Sequence, residues 1–97
     1  MYAIALVRYR KTLDEVLEHV EAHRAYLRDL QTQGILLASG PLDPRTGGAL
    51  LLRVPDEAVL ETLDGIRDGD PFIQAGVAQY EIWPWLPNIG KEALDSI

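Results

Sequence analysis

The chain of 97 residues contains no cysteine. That absence removes disulfides, thiolate nucleophiles and Cys-ligated metals together. No apolar run approaches the ~18–20 residues that span a bilayer, so a membrane is not an expected partner. Positive charge is scarce: 9 Lys plus Arg against 15 Asp plus Glu leave a formal net charge of −6. An acidic surface repels phosphate, which argues against nucleic acid and anionic membranes as partners. Internal repeats and low-complexity segments are absent. Met1 runs directly into Tyr2-Ala3-Ile4-Ala5-Leu6-Val7 with no basic segment or cleavage site, so a soluble cytoplasmic protein is expected. With 47% hydrophobic and 25% charged residues, the composition is that of one globular domain.

What is present reads as four strands and two main helices. Tyr2 to Tyr9 is β-branched, aromatic and aliphatic, and predicts a strand. Thr12-Leu13-Asp14-Glu15 is a capping-box sequence, and one long helix is expected from there to about Gln33, with Gly34 as its stop. Ile35 to Ser39 predicts a second strand ended by Gly40-Pro41, because Pro lacks a ladder donor. Residues 42–48 read as a turn, and Ala49 to Val54 as a third strand. Pro55-Asp56 is expected to open a second helix, whose inner face carries Val59, Leu60, Leu63 and Ile66. Asp70-Pro71 reads as an N-cap with Pro at the first position of a short turn closed by Gly76. Val77 to Trp85 is the last strand, placed at an edge by Pro84. A domain over residues 1–85 and a tail over 86–97, with a short helix from Lys91, complete the division.

The order βαββαβ is the α+β, ferredoxin-like arrangement: a four-stranded antiparallel sheet with both helices on one face. Ile4 and Leu6 point to one side of the first strand, Ala5 and Val7 to the other, and Leu50 and Leu52 oppose Leu51 in the third. Both sheet faces are therefore apolar, yet helices cover only one. A bare apolar face of several hundred Å² is rare on a monomer. A second subunit packed sheet on sheet is the expected cover; folding of the tail over that face is the alternative.

Two residues stand out chemically. His23 sits about 50° from the centre of its helix's apolar stripe, where an imidazole is half buried and still reaches a cleft. Histidine suits proton transfer near neutral pH. A boundary histidine bonded to a backbone carbonyl is the other reading of that position. His19 and His23 are spaced i, i+4, but no third His and no Cys exists to complete a metal site, and none is expected. Asp70 precedes Pro71; its carboxylate can cap the following turn, orient an imidazole, or do both with its two oxygens. Ser39 ends a strand without the Gly-x-Ser-x-Gly elbow of hydrolases, so it is expected to bond substrate or loop. Gly47-Gly48 has neither Rossmann spacing nor a P-loop lysine, and no cofactor is expected. Phe72, Tyr80, Trp83 and Trp85 read as core or dimer contacts, and the scattered Arg8, Arg24, Arg28 and Arg53 as solvated side chains that could include an anion-binding residue.

Taken together, several elements resemble the YciI-like (YCII-related) family. These are His23 with Tyr26-Leu27, Gly40-Pro41-Leu42, Asp70-Pro71-Phe72 with Gly76, and the final Pro84-Trp85. The resemblance covers about residues 2–85, with Asp-Pro-Phe its most specific piece. It implies a dimeric α+β barrel formed by two ferredoxin-like subunits. It also implies a His-Asp active-site pair, which here falls on His23 and Asp70. Ser39, Gly40, Pro41 and Phe72 are the residues expected to contact a small-molecule ligand. One family member eliminates HCl from a chlorinated hydroxyquinol; related barrels include muconolactone isomerases and monooxygenases.

Two functions remain open on this reading. One is a small-molecule enzyme of lyase, isomerase or hydrolase type. In it His23 acts as acid or base, Asp70 orients it, and substrate lies in a barrel-side cleft. The other is a non-catalytic homodimer that binds a ligand or partner. An RNA-recognition module of the same element order is disfavoured, because Ala49 to Val54 lacks the basic and aromatic surface that stacks bases.

Overall fold

In strand β1 (Tyr2–Tyr9) burial follows the two-residue period. Ala3, Ala5 and Val7 are at most 2% exposed, whereas Ile4 and Leu6 are half-buried on the opposite side. The computed structural model describes residues 1–97. Its remaining elements are α1 (Leu13–Leu17), α2 (Val20–Thr32), β2 (Leu36–Pro41), β3 (Gly47–Arg53), α3 (Val59–Gly69), α4 (Pro71–Gln74), β4 (Ala78–Trp85) and α5 (Lys91–Asp95). The four strands form one antiparallel sheet in the order β2-β3-β1-β4, the ferredoxin-like topology, with β4 at an edge. The core lies between the sheet and its helices, where Val7, Leu50 and Leu52 meet Val16, Leu27, Leu63, Ile66 and Phe72.

Helix α1 starts on the capping box: the Thr12 hydroxyl accepts from the Glu15 amide, and the Glu15 carboxylate accepts from the Thr12 amide at 3.1 Å. The expected single helix over 12–33 is in fact broken at Glu18–His19. His19 takes φ −113° and ψ 3°, in the bridge region between helix and strand. The break turns α1 so that Val16 is fully buried while Leu13 and Leu17 stay about 40% exposed. Helix α2 then presents His23, Leu27 and Leu30 inward at i, i+4, i+7.

Other boundaries also move. β2 continues through Gly40 and Pro41, which pair with Ala49 and Gly48. It is an edge strand, so proline's missing donor costs the ladder little there. β3 accordingly begins at Gly47, where a side chain is impossible: a Cβ would lie 1.9 Å from the Val7 carbonyl oxygen. Pro55-Asp56 does not open α3. Asp56 instead holds the N-terminal ammonium at 2.8 Å, and the helix starts at Val59 after Ala58 in the left-handed region.

The sheet face away from the helices carries Ile4, Leu6 and Leu51, half-buried, and Trp83, 59% exposed. The tail covers one end of it only. The Tyr2 hydroxyl donates to Asp95 at 2.6 Å, and Arg53 donates to the carbonyls of Leu94 and Ile97. No helix is long and apolar enough to cross a membrane.

Candidate active site

His23 and Asp70 are 47 positions apart, and the fold brings them to 2.8 Å between Nδ1 and Oδ1. Two local features make that possible. Helix α2 turns His23 inward among its buried residues. Asp70 closes α3 and caps α4, and its Oδ1 accepts from the Phe72 amide at 2.9 Å. A third contact ties the helices together: the Tyr26 hydroxyl on α2 donates to the Ile66 carbonyl on α3 at 2.6 Å. Gly69 leaves room for that hydroxyl, since a Cβ there would sit 2.7 Å from it.

Asp70 is fully buried. Its other oxygen, Oδ2, accepts from the Tyr80 hydroxyl on β4. Three donors therefore face this carboxylate: a backbone N–H, a phenol and the His23 ring. A carboxylate in that setting is an acceptor, which assigns the proton to Nδ1 and leaves the lone pair on Nε2. No partner holds Nε2, and no buried polar side-chain atom lacks a partner, so Nε2 is reached by solvent. The ring itself is clamped by Phe72, stacked face to face at 3.8 Å between centroids and 5° between planes. Tyr9 in turn packs edge-on against Phe72 at 6.1 Å.

The phenols answer to the same carboxylate. Burial pushes the Tyr80 hydroxyl well above the usual tyrosine range, and the charge and hydrogen bond of Asp70 push it further. Tyr26 is raised too, by burial first and the Asp70 charge second. Both stay neutral donors at physiological pH.

His23 opens onto a cavity of about 220 Å³ between α2, α4 and the β2–β3 end of the sheet. Ser39, Gly40, Pro41 and Phe72 lie on its walls, with Arg24 and Arg45. Asp70 does not; it stands behind the imidazole. The expected position of the cleft on the barrel side needs correction. The hollow is lined by Val7 and Leu50 from the helix-side face of the sheet and by His23, Leu27 and Phe72 from the helices, so it opens on the helix-bearing face. His19, by contrast, is an N-cap without a side-chain cap bond, and no group of three or more potential metal-ligating His, Asp or Glu side chains is present.

Two participants escaped the sequence reading. Tyr80 was expected as a core or dimer contact. Its place opposite Val7, on the helix side of β4, is the signal that could have aimed it inward. Arg45 sits in the β2–β3 loop, where no periodicity marks direction.

The YCII-related domain model matches residues 1–86. The chain belongs to the YCII-related family. No curated protein matches the chain. Among solved structures it is similar to the 5-chloro-2-hydroxyhydroquinone dehydrochlorinase of Burkholderia phenoliruptrix AC1100, solved in complex with 2,5-dihydroxybenzoquinone. The identity is 21%, the TM-score 0.74, and the match covers 91% of this chain and 96% of that one. This YCII-related chain thus shares a fold with an enzyme that holds a small ring compound.

Proposed function

We propose that this YCII-related protein is a small-molecule enzyme that moves a proton through His23 Nε2. The observation that carries the reading is the His23–Asp70 contact of 2.8 Å, with the opposite ring nitrogen free toward the cleft. Asp70 fixes the tautomer and steadies the imidazolium as it forms; fully buried, it is a positioning residue. In the forward step Nε2 takes a proton from an acidic C–H or O–H of the substrate. The electron pair released forms a new double bond. A leaving group, where one is present, departs with its own pair, which makes the reaction an elimination; return of the proton at another atom makes it an isomerisation. Ser39 and the apolar walls of the cleft, with the edge of Phe72, would position the ring or chain being deprotonated. The dehydrochlorinase similarity favours the elimination form. A positioned base contributes ~10²–10⁴-fold, so the walls of the cleft must supply the remainder.

The subunit is proposed to work as a homodimer. Ile4, Leu6, Leu51 and Trp83 make an apolar sheet face that the tail leaves largely bare.

The test is turnover. Purified protein is incubated with 5-chloro-2-hydroxyhydroquinone and with unhalogenated enolisable ring compounds in deuterated buffer. Chloride release or deuterium incorporation is expected, and His23→Gln should lower either rate by roughly 10²-fold or more. An undiminished rate in His23→Gln, or ligand binding with no turnover of any compound, would favour the non-catalytic ligand-binding dimer.

A further inference from the structure

The cleft has a charge opposite to that of the protein around it. The chain carries 15 acidic residues and a net charge of −6, yet no Asp or Glu lines the 220 Å³ cavity. Two arginines do, Arg24 from α2 and Arg45 from the β2–β3 loop. Their side chains are not spent on internal pairs. Arg8, Arg67 and Lys91 are paired with carboxylates, and Arg53 holds the tail carbonyls. Arg24 has no such partner, and Arg45 reaches only the Tyr9 hydroxyl at 3.5 Å, a long neutral contact. Arg10, Lys11 and Arg28 are also without carboxylates; Arg28 borders the adjoining groove, which shares Arg24, Leu27 and Ser39 with the cleft. Unpaired guanidinium groups on an acid-free wall focus a positive potential into a hollow with low-dielectric sides.

We propose that the cleft selects a compact organic anion carrying a carboxylate, with Arg24 and Arg45 as its recognition residues. This rests on the proton-transfer reading of the same site and names its substrate class. The guanidinium fork matches a carboxylate in shape and charge. The volume is below the ~300–1,000 Å³ of ordinary ligand pockets, which confines the ligand to about one ring or a short chain. Half of the 14 lining residues are hydrophobic, which gives that ring an apolar setting. The pairing also helps the chemistry. Proton loss to His23 Nε2 adds negative charge to the ligand, and a nearby guanidinium stabilises it where the buried Asp70 cannot.

The test measures binding, so it stands apart from turnover. Protocatechuate and catechol differ by one carboxylate and serve as the charged and neutral probes. Both are titrated by calorimetry and by the His23 ring resonances at low ionic strength. Protocatechuate should bind roughly tenfold or more tightly. Arg24→Gln with Arg45→Gln should abolish the difference, the Arg→Lys pair should keep part of it, and added salt should shrink it. Both arginines are exposed, so these variants should melt like the parent. Equal affinity for the two probes, a preference untouched in the double Gln variant, or no binding of protocatechuate would overturn the proposal. His23→Gln should lose turnover while keeping the preference. Failure of the catalytic reading therefore shows in the rate, and failure of the anion assignment in the affinities.

Discussion

The His23 imidazole lies flat on the Phe72 ring, 3.8 Å between centroids and 5° from parallel. Phe72 is both the first amide donor to Asp70 and the floor under the histidine that Asp70 holds. One residue thus fixes the base from two directions. Phe72→Leu should keep most of the core, since Phe72 is buried and a similar-sized aliphatic replaces it. It should erase the upfield ring-current displacement of the His23 ring protons in the proton NMR spectrum. It should also loosen the base, and a misplacement of about 1 Å costs on the order of 10²-fold in rate. Unmoved His23 resonances in Phe72→Leu would speak against the stack.

Removing the carboxylate at position 70 strands three donors. Asp70→Ala leaves the Phe72 amide, the Tyr80 hydroxyl and His23 Nδ1 without their acceptor. Breaking a buried pair of this sort costs about 3–5 kcal/mol. Asp70→Asn keeps one acceptor oxygen, and the Tyr80 hydroxyl can rotate to accept from the new amide, so its loss should be much smaller. Thermal or urea unfolding of both variants checks the order. Equal, slight losses would mean that the network contributes little.

Tyr80 makes stability depend on alkaline pH. Its hydroxyl is held above the ordinary value of 10.0 by burial and then by Asp70. A raised folded value means that the folded state keeps a proton which the unfolded chain gives up. The stabilisation is therefore complete below about pH 10 and is lost as pH rises beyond it. Ultraviolet titration should show Tyr26 and Tyr80, two of the four tyrosines, ionising late and only as the protein unfolds. Tyr80→Phe should remove part of the alkaline loss. At neutral pH it leaves Oδ2 of Asp70 without its donor, at about 1–3 kcal/mol.

Local grammar carried the fold well. The Thr12 capping box, the Gly34 stop at φ 78°, the Asp70 cap before Pro71 and the Pro84 edge strand are each decided within four residues of chain. The misses are tertiary. Nothing near Glu18–His19 is a Pro or Gly, so the helix break was invisible; it arises where α1 turns to bury Val16. Ala58 takes φ 54° two residues after Asp56, which is pinned to Met1, a contact 55 positions apart that no local pattern announces. At the site, sequence could nominate His23 and Asp70 by residue type but could not bring them together. The period of β4 says which face Tyr80 occupies, not that a carboxylate ten residues earlier awaits it. Arg45 has no pattern at all, being in a loop.

The apolar sheet face gives a prediction separable from the site. Leu51 lies on the face opposite the helices, paired with Ile4 and Ala38. Sedimentation of the wild type should give a dimer. Leu51→Arg should give a folded monomer, because the substituted side chain is half-buried in the single subunit and can reach water there. A wild type that sediments as a monomer, or a Leu51→Arg variant that stays dimeric, would move the interface elsewhere.

The decisive property of the site is which ring nitrogen of His23 carries the proton. Nitrogen-15 NMR of the imidazole in its neutral form reads the two ring nitrogens separately. The expected spectrum shows a proton on Nδ1, fixed by Asp70, and a bare Nε2 facing the cleft, with the single tautomer giving way to a mixture in Asp70→Ala. A proton on Nε2 in the wild type, or an even mixture of tautomers, would contradict it.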